Sequence, residues 1–240
     1  MCADYENEFA YVIGGYNHEK GLVNSVERFS FKARKWVMAE SINHARINAA
    51  ACKCGNKYIY LFGGLDKKDF LDSIERYNLQ LEIWTLIKVK MPSRVANLFA
   101  FSINSDYIVI MGGMKKKADE LVPKESKKVY ELDNRVFALK TSNLKWKDLK
   151  AFPFKKKFGS ICYNGFGKFF CNVIEDNKEV PQLFVYDVRN CFPHFDKYWE
   201  VNQGLQKIKG KDIKFHLAYS LSSKHDAKGL HTYSSYMAEM

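Results

Sequence analysis

The sequence predicts an all-β fold assembled from repeated four-stranded sheets, and three periodic signals carry that prediction. Gly-Gly stands at 14–15, 63–64 and 112–113, so the pairs recur every 49 residues. Each pair ends a five-residue apolar run: Phe9-Ala10-Tyr11-Val12-Ile13, Tyr58-Ile59-Tyr60-Leu61-Phe62 and Tyr107-Ile108-Val109-Ile110-Met111. These runs are rich in β-branched and aromatic residues and bounded by turn formers, the pattern of buried strands. In phase with them, Val26-Glu27-Arg28-Phe29 returns as Ile74-Glu75-Arg76-Tyr77, with weaker copies at Val136-Phe137-Ala138-Leu139 and Phe184-Val185-Tyr186-Asp187. All four tryptophans, Trp36, Trp84, Trp146 and Trp199, follow those segments. A repeat of this length is one supersecondary unit that cannot cover its own apolar faces and must stack on its neighbours.

The elements follow in order along the repeat. In the second copy the strands are predicted at Asn48 to Cys54, Lys57 to Phe62, Ser73 to Asn78 and Ile83 to Val89. Gly14, Gly15, Gly63, Gly64, Gly112 and Gly113 close the second strand, where backbone passes closely or takes positive φ. The tryptophans are predicted to fill the seams between sheets, each an apolar plate of ~150–250 Å². Arg46 and Arg94, 48 residues apart, form a further track, the second preceded by Met91-Pro92. The third copy is stretched by about thirteen residues in the charged segment Lys115 to Asn134, which is predicted to be a protruding loop without strands. The fourth copy has Ile174-Glu175 where the double glycine belongs, and Lys155-Lys156-Lys157 at the arginine position. The chain enters on a second strand near Phe9, with the first strand of that sheet expected to be missing. At the other end, Leu217 to Ser223 resembles Phe99 to Ser105, and Ile213, Phe215, Leu217, Tyr219 and Leu221 alternate as a half-buried strand does.

The succession of Gly-Gly, an aromatic, tryptophan and Met-Pro-x-Arg resembles the kelch repeat. The resemblance covers about residues 8 to 203; it is best in the first two copies and poorest in the fourth. It implies a kelch-type β-propeller with about four recognisable four-stranded blades in one domain over 1–240. The repeats run approximately 8–47, 48–95, 96–156 and 157–203, with 204–240 left for ring closure. Two arrangements fit the ends: the C-terminal strand completes the first blade of a four-blade ring, or it opens an incomplete fifth blade. An incomplete ring would expose sheet faces and edges and favour self-association or a partner chain.

Chemistry-bearing motifs are absent. The chain contains no phosphate-binding glycine loop, no dinucleotide fingerprint, no nucleophile elbow and no His-Glu-x-x-His. Cys52 and Cys54 share one face of a predicted strand, with no second ligand pair at zinc spacing, so no metal or cofactor is expected. The function expected is non-catalytic. No apolar run approaches the ~18 residues of a membrane span. The start, Met1 to Glu8, is polar and acidic, six cysteines show no scaffold spacing, and no Asn-x-Ser/Thr acceptor occurs, which together predict a reducing, cytoplasmic setting.

What remains is recognition. Lys and Arg number 38 against 27 Asp and Glu, for a net charge of +11. In a propeller, the loops joining fourth to first strands and second to third strands gather at one mouth. The first group offers Arg46, Asn48, Arg94, Lys156 and Lys157; the second offers Lys67, Lys68, Lys115, Lys116 and Lys117. Converging there, they would hold an acidic or phosphorylated segment of a partner protein, as the resemblance to kelch substrate adaptors implies. The structural alternative is that Arg46 and Arg94 tie blade junctions through carbonyl groups and that the lysines are ordinary solvated charge. A cytoskeletal, actin-associated or assembly scaffold is the second reading. A basic nucleic-acid-binding propeller is the third, less favoured because charge alone supports it.

Overall fold

The computed structural model describes residues 2–4, 8–117, 130–153, 155, 157–163, 167–174, 182–188, 191–192 and 206–207. Lys156, Trp199, the alternating C-terminal strand and most of the third-repeat insertion lie outside the described residues. The fold is all-β, with no α-helix among the described residues and therefore no helix long and apolar enough to cross a membrane. The chain divides into two compact units, Met1–Lys155 and Lys156–Met240.

The first unit holds three antiparallel four-stranded sheets. Sheet one is β1 (Cys2–Asp4), β2 (Phe9–Asn17), β3 (Gly21–Ser30) and β4 (Lys35–Ala39), in that order. Sheet two repeats the meander with β5 (Ala50–Cys54), β6 (Tyr58–Phe62), β7 (Ile74–Asn78) and β8 (Ile83–Ile87). Sheet three is β9 (Phe99–Ser102), β10 (Tyr107–Met111), β13 (Val136–Lys140) and β14 (Lys145–Leu149). Between β10 and β13, a two-stranded hairpin, β11 (Met114–Lys116) and β12 (Tyr130–Leu132), projects from the sheet. The second unit contains β15 (Lys157–Tyr163), β16 (Lys168–Ile174), β17 (Gln182–Asp187) and β18 (Gln206–Lys207), again a four-stranded antiparallel meander.

Two expectations are corrected here. The first strand of sheet one is present: β1 pairs with β2 in the register Cys2↔Tyr11, Ala3↔Ala10, Asp4↔Phe9. Three residues are too few to show a period, so main-chain pairing, not side-chain pattern, makes this strand. With it in place, sheet one does not need the C-terminal strand as its fourth member. The segment Lys115 to Asn134 is also not strandless, because Lys115↔Glu131 and Lys116↔Tyr130 pair at the two ends of the insertion.

Strand β6 is apolar along its whole length because both of its faces are covered. Ile59 and Leu61 of β6 point into a seam with Tyr11, Val26 and Ile42 of the first repeat, joined by Tyr77 and Trp84. Tyr60 and Phe62, one residue out of phase, enter the next seam with Ile108, Ile110, Phe137 and Leu139. Trp84 is 8% exposed, and its indole N–H donates to the Glu40 carbonyl at 3.0 Å. Trp146 is partly buried in the second seam and donates to the Lys90 carbonyl at 2.8 Å. Trp36 departs from the expected role. It is 49% exposed and rests on Phe29 of its own sheet, because no sheet of this unit packs on that face.

The glycine pairs act as the sequence implies. At Gly63 (φ 58°) a Cβ would lie 2.4 Å from the Val95 carbonyl oxygen, and at Gly64 (φ 96°) 2.6 Å from that of Ile47. Gly64 N–H donates to the Val95 carbonyl at 2.9 Å, so this close approach fixes the segment leading to sheet three. Gly64→Ala is expected to lower stability by roughly 2–3 kcal/mol, from left-handed strain and backbone displacement together. Urea denaturation checks this, and a loss under about 0.5 kcal/mol would show that the approach is not needed.

Candidate functional site

The segments that join one sheet to the next position Arg46. Its side chain is fully enclosed, and the residue is 1% exposed. Nη2 donates to Glu75 Oε1 at 2.6 Å, Nη1 to the Gly63 carbonyl at 3.0 Å, and Nε to the His44 carbonyl at 3.2 Å. Glu75, in the leading face of sheet two, accepts three further bonds, from Asn43 N at 2.7 Å, Asn43 Nδ2 at 2.8 Å and His44 N at 3.2 Å. Burial lowers the guanidinium pKa from its ordinary value, and the Glu75 carboxylate opposes that shift. Arg46 therefore clamps the connection from sheet one onto sheet two. Its burial removes it from the set of residues able to touch a partner.

Arg94 is not the structural counterpart of Arg46. Gly15 N donates to the Arg46 carbonyl, whereas Gly64 N, 49 residues later, donates to that of Val95. The same interval relates the bridges Ile47↔Leu65 and Ala96↔Met114. The arginine track thus slips by one residue. Val95 is buried where Arg46 sits, and Phe137 takes the place of Glu75. Arg94 stands outside, exposed, 3.6 Å from carboxylate oxygens of both Asp69 and Asp72. Asn48 is exposed with φ 56°, matched by Asn97 at 54°; both hold the left-handed turn before a first strand, a conformation asparagine tolerates.

The lysines fall into two groups. Lys115 and Lys155 are each 3.1 Å from opposite oxygens of Glu131, so one carboxylate ties β11–β12 to the segment after β14. Lys155, then Lys115, hold the Glu131 carboxyl below its ordinary range. Lys67, Lys68, Lys116 and Lys117 are exposed and carry no ion pair among the described residues. Lys67 and Lys68 sit on a tight turn in which Asp66 Oδ1 accepts Lys68 N at 2.7 Å and Asp69 N at 2.8 Å. Lys157 is exposed at the start of β15 in the second unit.

Residues that sequence reasoning passed over complete this face. Phe70, buried in the β6–β7 loop, meets the Tyr130 ring edge-on at 6.1 Å, which leans the hairpin against the loop. Tyr130 remains 54% exposed and lies directly across from Lys116. Behind the hairpin, Arg135 donates to Asp133 at 2.6 Å and to Ser93 Oγ at 2.7 Å, beside a small pocket that Val95 and Phe137 also line. Burial alone would raise the Asp133 pKa, but bonding from Arg135 brings it below the ordinary 3.8. The hairpin strands are too short to leave a sequence signal, whereas Glu75, a carboxylate inside a predicted strand, was the available signal for the clamp. Among the described residues, no cluster of His, Cys, Asp and Glu able to hold a metal ion occurs.

Comparison with known proteins agrees with this architecture. The kelch motif matches residues 10–42 and 45–88, which span β2 to β4 and then the connection and all of sheet two. Over 145 residues the chain is 29% identical to alpha-scruin of Limulus polyphemus, covering 57% of this chain and 15% of that protein. Over 109 residues it is 27% identical to a RING finger domain and kelch repeat-containing protein of Dictyostelium discoideum, covering 45% of this chain and 10% of that one. The chain thus spans only a small part of the length of these relatives. Kelch repeats generally mediate protein–protein interaction and are typically non-catalytic.

Proposed function

The chain carries kelch repeats at residues 10–42 and 45–88, and from that premise we propose that it is a non-catalytic module that binds an acidic segment of a partner protein. The binding surface is the β6–β7 loop together with the β11–β12 hairpin. The observation that carries this reading is four exposed lysines, Lys67, Lys68, Lys116 and Lys117, flanking the exposed Tyr130 ring on a hairpin fixed from both sides. A fixed aromatic gives contact area at low entropic cost, and exposed ammonium groups without an ion pair among the described residues suit carboxylates or phosphates. Arg94, Arg135 and Lys115 are already opposed by Asp69, Asp72, Asp133 and Glu131, so they shape the surface without adding net charge to it.

The test is binding of a fluorescent Glu-rich peptide containing one aromatic residue, alongside capture of partners from lysate. Lys116→Glu/Lys117→Glu is expected to weaken peptide binding at least ~10-fold and Tyr130→Ala by several-fold, since interface hot spots are worth about 1–2 kcal/mol or more. Lys116→Glu/Lys117→Glu changes exposed side chains and should leave the melting temperature unaltered, whereas Tyr130→Ala also removes the ring contact with Phe70, so its binding loss is read beside its own melting temperature. Unchanged peptide affinity and unchanged capture in both variants would refute this surface.

A further inference from the structure

We draw no further inference here: the strongest candidate, the uncharged outer edge strand β8 of sheet two with its exposed Ile83 and Leu86, carries none, because nothing in the structure shows what covers it.

Discussion

Arg46→Ala is expected to destabilise the first unit by about 3–5 kcal/mol, the usual consequence of removing one partner of a buried ion pair. The reason is the carboxylate left behind. Glu75 has no exposed side-chain surface, and without Arg46 it retains only the Asn43 and His44 donors. The Gly63 carbonyl loses its guanidinium donor in the same substitution. The chain also contains its own alternative solution. One repeat later, the positions of Asn43, Arg46 and Glu75 are held by Pro92, Val95 and Phe137. Proline brings no N–H that needs a carboxylate, and Val95 packs in one cluster with Phe137. The triple exchange Asn43→Pro/Arg46→Val/Glu75→Phe should therefore recover most of the loss, to within about 1–2 kcal/mol of wild type, as apolar replacement of buried ion pairs commonly does. Urea denaturation with constant m-value measures both. A loss below about 1 kcal/mol for Arg46→Ala would mean that water reaches Glu75.

The Gly-Gly pairs and the inner strands were legible because their causes are local. A left-handed backbone pressed against a carbonyl admits only glycine, and a strand covered on both faces is apolar without interruption. The clamp was half legible. Arg46 stood out, but its pairing with Glu75 joins residues 29 apart, and Arg94 misled because the connection after Trp84 is one residue longer than the one after Trp36. β1 and the β11–β12 hairpin were missed since three-residue strands hold too little pattern to separate from a loop. At the candidate site the lysines were visible as runs. The carboxylates that neutralise their neighbours were not, because Asp69 and Asp72 come from the β6–β7 loop and Glu131 from β12, each well separated in sequence from the cation it meets.

Tryptophan identity likewise carried no record of which indoles are covered, and this yields the other large effect. Trp84→Ala should destabilise the chain by ~3–5 kcal/mol, the range for truncating a core aromatic. Three losses combine there: packing across the seam with sheet one, the contact with Tyr77 at 5.0 Å, and the bond to the Glu40 carbonyl. Trp84→Phe separates them. It keeps one aromatic ring in the seam but removes the N–H together with about a third of the side chain, so a smaller loss of about 1–3 kcal/mol is expected. Trp36→Ala, at the same place in the preceding repeat, should lose under about 1 kcal/mol in dilute solution, since half of the indole already faces water and its main contact is Phe29 at 5.3 Å. The two truncations differ in whether a neighbouring sheet lies over the ring and accepts its N–H. Equal losses would show that Trp36 is covered as Trp84 is.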